Sequence, residues 1–350
     1  MQTFLVDKGV IPGWIRGLTR AGSLFFPQRA GHAAWRFKPV NARSEIQFER
    51  YHPTIVPPGK QLAPTRETLF RYRKNAAGEL EILPTLDESP RILAGIRPCD
   101  LKAIHLMDRV NRDGHGDPHY LTRRAHTTLI ACDCLHPCDD ACFCDATGAL
   151  RWRDNADVFL TPLDGKFLVE VLSERGAALV AGVDFPACPD VAAHKAAAEK
   201  KRTKPFGRHF GVEVGRFAQL AAIKWQSPLW EKHVERCFSC GSCNLVCPTC
   251  YCFDVHDDFD LAATDTGVRT RAWDSCMLPT FAEVAGGHNF RPQPAARQRH
   301  RVKRKFDYLT DRFAEASFCV GCGRCGRQCT AGIDIFDIVN DLVSSAEARP

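Results

Sequence analysis

No run approaching about 18 consecutive apolar residues occurs in the chain, so no membrane-spanning helix is expected. The opening stretch MQTFLVDKGVIPGWIRGLTRAG has neither a long apolar centre nor a clear small-residue cleavage site, and a secretory signal is not expected either. A G-x-x-x-x-G-K-S/T loop is missing, as are a Ser–His–Asp set and carboxylates paired for acid–base work. Independent nucleotide or hydrolytic chemistry is therefore not expected. The net charge is only +6 at pH 7, too weak to imply nucleic acid by itself. Low-complexity segments are lacking, and no cysteine precedes Cys99.

Cysteine is abundant after that point. The 350 residues hold 18. Five fall between Cys132 and Cys144, and twelve lie at or after Cys188. Disulfides need an oxidising compartment. Without an export signal, the expectation is a cytoplasmic protein whose thiols are kept for metal.

The front of the chain reads as mixed α/β. Arg91–Ile96, residues 127–131, residues 157–161 and Lys166–Val171 are short apolar runs suited to strands, and residues 101–110 carry a helical period. Pro57, Pro58, Gly59 and Pro64 mark a loop. Pro186, Pro189 and Pro205 flank an Ala/Lys stretch that reads as a solvated helix or linker, so a boundary is expected near 186–206. Residues 216–234 carry helical periodicity, residues 277–318 mix helical signals with a basic stretch, and residues 333–344 read as a closing amphipathic helix.

Two runs near the end carry the strongest signal. Cys237-Phe-Ser-Cys240-Gly-Ser-Cys243-Asn-Leu-Val-Cys247-Pro248 and Cys319-Val-Gly-Cys322-Gly-Arg-Cys325-Gly-Arg-Gln-Cys329-Thr330 both read C-x2-C-x2-C-x3-C, the bacterial ferredoxin spacing. Three thiolates two residues apart wrap three corners of a cubane, and small residues between them let the backbone approach. The fourth cysteine of such a run ligates the other cluster in two-cluster ferredoxins. Cluster one would take Cys237, Cys240, Cys243 and Cys329. Cluster two would take Cys319, Cys322, Cys325 and Cys247. A zinc ribbon uses paired C-x2-C knuckles and does not call for three cysteines in each loop. The long interval between Cys247 and Cys319, with its helical character, points to a helical ferredoxin domain. The expected fold is α+β: an N-terminal mixed α/β domain over 1–200, then an α-helical ferredoxin domain over 207–350 with two [4Fe–4S] clusters. Gly321-Cys-Gly-Arg-Cys-Gly326 also matches G-x-G-x-x-G, but its intervening thiolates and the lack of a strand–helix setting exclude a dinucleotide site.

Further motifs lie outside these runs: Gly95-Ile-Arg-Pro-Cys-Asp100, Asp117-Pro-His-Tyr120 with Arg123-Arg124, Cys142-Phe-Cys144, Cys247-Pro-Thr-Cys-Tyr-Cys252 and Arg271-Ala-Trp-Asp-Ser-Cys276. In this order, and with Cys319–Cys325, they resemble the electron-transfer beta subunit of cytoplasmic sulfhydrogenases and the similar A subunit of anaerobic sulfite reductase. The resemblance covers about residues 50 to 340. It implies a hetero-oligomeric relay between a flavin/NAD(P)-binding subunit and a catalytic subunit, a nickel–iron hydrogenase in one case and a sirohaem sulfite reductase in the other. Polysulfide-reductase and heterodisulfide-type assemblies stay open. The family pattern keeps Cys99, Cys134, Cys142 and Cys144, a set for a third [4Fe–4S] cluster, with zinc and buried free thiols as the alternatives.

Cys132 and Cys138 read as extras. A sirohaem motif built on Cys132, Cys138 and Cys142 would share one cysteine between its halves and is discounted. Cys250, Cys252 and Cys276 are three thiols that would need Asp274 or His256 to complete a site, and they read as packing near the clusters. Cys188 is unassigned. Seven Lys/Arg lie between Arg291 and Lys305; they suit a solvated helix face, docking to an acidic partner or charge compensation for anionic clusters. Arg97 either stabilises a cluster or pairs with Asp100. A stand-alone enzyme using the N-terminal cysteine site on its own substrate is the competing functional reading.

Overall fold

The computed structural model describes residues 2–49, 51–219, 225–259 and 265–347. The strands, in chain order, are β1 (Thr3–Asp7), β2 (Ser23–Arg29), β3 (Trp35–Pro39), β4 (Arg66–Lys74), β5 (Leu80–Pro84), β6 (Arg91–Ile96), β7 (Thr127–Cys132), β8 (Val158–Pro162), β9 (Lys166–Val171), β10 (Phe253–Phe259) and β11 (Thr266–Trp273). The helices are α1 (Ile11–Gly17), α2 (Pro98–Arg112), α3 (Pro118–Ala125), α4 (Glu174–Val180), α5 (Val191–Lys201), α6 (Leu229–Val234), α7 (Ser242–Leu245), α8 (Pro294–Lys303), α9 (Leu309–Phe313), α10 (Arg324–Arg327) and α11 (Ile335–Glu347). Of the helical stretch expected at 216–234, residues 220–224 lie outside the described residues, and α6 forms its end.

Seven strands make one sheet in the order β1-β9-β8-β7-β6-β2-β3. Its centre, β2-β6-β7-β8, is parallel. The central strands are buried on both faces, which is why they read as continuous apolar runs. Alternate residues serve opposite faces. Ile92, Ile130, Cys132 and Val158 pack with Ile11, Trp14 and Ile15. Leu93, Leu129 and Phe159 pack with Leu101, Ile104 and Met107 of α2. Cys99 opens α2 just past the end of β6, and Cys134 follows the end of β7. These two strands are parallel neighbours, Leu93 opposite Leu129. Side chains beyond their carboxyl ends therefore meet outside one edge, where open α/β sheets place their ligands.

A second sheet, antiparallel, has the order β10-β11-β4-β5. It takes two strands from each side of the boundary expected near 186–206. Arg73 pairs with Thr266 and Glu67 with Arg271. The interval between Cys247 and Cys319 thus opens with a hairpin, not a helix. Phe253, Val255 and Phe259 alternate at period two, but the whole of β10 is exposed, so it lacks the apolar run that marks a buried strand. After a largely irregular stretch over 274–293 the interval turns helical: α8 runs through a π-turn at Arg304–Tyr308 into α9. Trp230, Val234, Val302, Phe306, Ile338 and Leu342 form the helical core. The chain is α+β.

Phe26 is fully buried, its ring edge-on to Phe48 at 5.0 Å and to Tyr51 at 6.4 Å. Phe26→Ala is expected to cost about 3–5 kcal/mol, read from denaturant unfolding under anaerobic conditions.

Candidate metal centres

The two C-x2-C-x2-C-x3-C runs fold alike. Each is a loop that turns through a left-handed glycine, Gly241 at φ 77° and Gly323 at φ 69°, into a one-turn helix, α7 or α10. That helix carries the third cysteine, Cys243 or Cys325, and the fourth lies just beyond it. The two one-turn helices pack on each other. Two small cavities result. Cys237, Cys240, Cys243 and Cys329 line one. Cys247, Cys319, Cys322 and Cys325 line the other. Each cavity draws three thiols from one run and one from the other. Gly321–Gly326 follows irregular backbone, without the strand a dinucleotide fingerprint needs.

The basic stretch is not a solvated face. Arg297, Arg301, Lys303 and Lys305 are buried. Arg301 is 3% exposed and borders both cavities. Its Nε donates to Asn244 Oδ1 at 3.0 Å, while its Nη2 finds no partner among the described residues. Lys305 borders the second cavity and donates from Nζ to Thr249 Oγ1 at 2.8 Å. Neither pairs with a carboxylate among the described residues. A buried cation without an anion is costly, by several kcal/mol. Thiolate-bound anions in the adjoining cavities would offset that cost, so the donor set and the orphaned guanidinium fit iron–sulfur clusters.

Burial pushes the Cys243 and Cys322 thiols up to about 11 and raises Cys319 as well. Cys247 is held below the usual thiol range by a hydrogen bond from Cys250, against burial and with help from Lys305 and Arg301. Metal loading must displace the protons of the raised thiols, so it releases acid.

Beside the second cavity lies the N-terminal group. Cys134, Cys142 and Cys144 are buried in one cluster with Cys99 and Cys322 at its margin. The expected set of Cys99, Cys134, Cys142 and Cys144 is thus brought together. Cys138 lies beside it: its thiol is hydrogen-bonded to Cys134, which lowers it to about 6 against the effect of burial, with Arg97 also lowering it. Cys142 and Cys144 are similarly hydrogen-bonded. Cys132 points to the opposite face of the sheet, into the core under α1. Cys188 is buried beside β1, where its N–H donates to Thr3.

Backbone contact joins this group to the second run. Phe143 N–H donates to the Gly321 carbonyl at 2.7 Å. A Cβ on Gly321 would stand 2.4 Å from the Phe143 carbonyl oxygen, and one on Gly323 2.5 Å from that of Ala141. Only glycine fits at either place. A buried ion pair locks the contact. Arg324 grips Asp100 through both oxygens, at 2.6 and 2.7 Å, and both residues are 3% exposed. Arg324 Nε also donates to Thr54 O at 2.7 Å. The partner of Asp100 is therefore Arg324 and not Arg97. Arg97 lies over the Tyr51 ring at 4.1 Å.

Cys250, Cys252 and Cys276 border a further cavity, which neither His256 nor Asp274 reaches. His256 pairs with Asp254 at 3.1 Å on exposed β10, and Asp274 Oδ1 accepts from Ser275 N–H at 2.6 Å. Among the described residues no three His, Cys, Asp or Glu side chains converge on a point suited to one metal ion.

Sequence reading missed Arg324, Asn244, Arg301 and Lys305 as individual contributors. Arg324 stands where the first run has Ser242, and that difference is its only signal.

Comparison with known proteins agrees with the geometry. Residues 236–333 match the 4Fe-4S dicluster domain family. The chain is 33% identical over 349 residues, 98% of each chain, to sulfhydrogenase 2 subunit beta of Pyrococcus furiosus. No solved structure matches it.

Arg324→Met strands the Asp100 carboxylate in a dry interior and is expected to cost about 3–5 kcal/mol. Adding Asp100→Leu is expected to recover most of that loss. Equilibrium unfolding of the two single variants and the double variant tests this, and an additive double variant would contradict it.

Proposed function

The chain belongs to the family of sulfhydrogenase beta subunits, and from that premise we propose that it relays electrons between a flavin/NAD(P)-binding subunit and a catalytic subunit of [NiFe]-hydrogenase or sulfite/sulfur-reductase type. At the coarser level it is an iron–sulfur electron-transfer subunit. The observation that carries the reading is the four-and-four division of thiols between adjoining cavities. On it, Cys237, Cys240, Cys243 and Cys329 hold cluster one, and Cys319, Cys322, Cys325 and Cys247 hold cluster two. Cys99, Cys134, Cys142 and Cys144 hold a third, with Cys138 as a reserve thiol.

Each cluster, when bound, supplies one-electron redox chemistry at a potential set by its charge and hydrogen bonds. The chain's own residues set those terms. Arg301 and Lys305 place positive charge beside clusters one and two. Arg324 and Asp100 hold the third set against the second, so all three share one rigid block. Substrate chemistry belongs to the partner subunits of a hetero-oligomer. The compartment is the cytoplasm, a reading supported by 18 free cysteines. Among the described residues no helix is long and apolar enough to cross a membrane. Nothing in this reading calls for nucleic acid.

Anaerobic pull-down of the native chain, with metal analysis, tests the proposal. The chain is expected to bring down a flavin subunit and a catalytic subunit. A chain that isolates alone and turns over a substrate would sink the relay reading in favour of a stand-alone enzyme. Cys240→Ser and Cys322→Ser are each expected to lose about four irons.

Arg301→Met removes a buried positive charge and is expected to make the adjoining clusters harder to reduce, by on the order of 50–100 mV at an effective dielectric of about 20. Potentiometric titration followed by EPR reads the shift, and an unchanged potential contradicts the assigned role.

A further inference from the structure

The cavity lined by Cys250, Cys252 and Cys276 has no role in this relay, and its construction resembles a site. Its volume is about 230 Å³. The hairpin base builds one wall. Phe253 pairs with Trp273, and Asp274 N–H donates to the Cys252 carbonyl at 3.0 Å, so Cys252 and Cys276 emerge side by side. Their thiols are hydrogen-bonded, and Cys250 lies within electrostatic reach of both. The opposite wall is α8 and the π-turn, which contribute His300, Arg301 and Lys305.

Two observations point to an anionic occupant. No carboxylate lines the cavity, although Arg301, Arg304 and Lys305 do. Arg304 borders this cavity and neither ferredoxin cavity, and it pairs with no carboxylate among the described residues. A third observation fixes the thiol side. Asn244 Oδ1 takes the Arg301 Nε–H, and Asn244 Nδ2 donates to Cys276 Sγ at 2.9 Å.

We infer that this cavity holds a further cluster of the [4Fe–4S] class, with Cys250, Cys252 and Cys276 as three ligands and His300 as the fourth. The inference rests on the iron–sulfur reading above. Thiolates suit either iron–sulfur or zinc. The room in the cavity and its surplus of cations fit a larger, more negative group. Arg301 borders this cavity and both ferredoxin cavities, which makes the site a neighbour of the same relay.

Iron and acid-labile sulfide in the anaerobically isolated complex test the inference. Cys252→Ser and Cys276→Ser are each expected to lose about four irons per chain. Cys240→Ser serves as the reference. Full iron in both hairpin variants, with iron lost from the reference, overturns this inference alone; so does zinc in place of iron. Full iron in the reference itself takes down the relay ligands. Because a ligand variant can fail to fold, the unaltered complex carries a second readout. Pulsed EPR after reduction is expected to show the nitrogen coupling of a directly bound imidazole, and His300→Ala is expected to lose it. Its absence from the unaltered complex overturns ligation by His300.

Discussion

Arg324 and Asp100 form the contact on which the arrangement depends. Neither charge can remain in a dry interior without the other, and the planar fork of the guanidinium accepts one carboxylate orientation. Arg324 sits between two cysteines of the second run, and Asp100 follows Cys99. Matching these charges therefore sets where two thiol groups from distant parts of the chain stand relative to one another. Glycines at 321 and 323 let the backbones close to contact. Hydrophobic packing alone would leave such a contact free to slide; a bidentate pair does not.

Charge balance explains the rest of the interior. Helix α8 and its π-turn present buried cations toward thiol-lined cavities instead of toward water. In the bare chain that layout is unfavourable on both sides, because cations lack anions and thiols hold their protons. Anionic clusters would resolve both at once. Folding of this region and cofactor loading are then two views of one equilibrium.

The chemistry was more legible in the sequence than the architecture. Thiol spacing fixes local loop geometry, so the two runs could be read residue by residue. Continuous apolar runs marked β6 to β9 because those strands are buried on both faces. The hairpin β10–β11 is hidden in an interval whose other signals are helical, since an exposed strand of Phe, Asp, Val and His carries little apolar signal. Loops have no period from which to place a side chain, so only the fold shows Cys138 against Cys134. The basic stretch was ambiguous for a different reason. Seven cations in fifteen residues look the same in sequence whether water or a cluster balances them, and burial is a tertiary fact. Arg324 was invisible as a strut because its partner lies more than two hundred residues away.

The four-stranded sheet has a consequence for biosynthesis. β4 and β5 leave the ribosome early, yet β4 finds its second neighbour only when residues 266–273 have been made. Until then one edge of β4 stands open, with Thr68, Phe70 and Tyr72 along it. An open edge is a template for the wrong chain. The nascent protein therefore passes through a vulnerable interval that ends when the hairpin arrives, at much the same time as the first cysteine run. Closing the sheet comes first, and the thiol sets are completed only later, when the second run supplies Cys329 to one cavity and Cys319, Cys322 and Cys325 to the other.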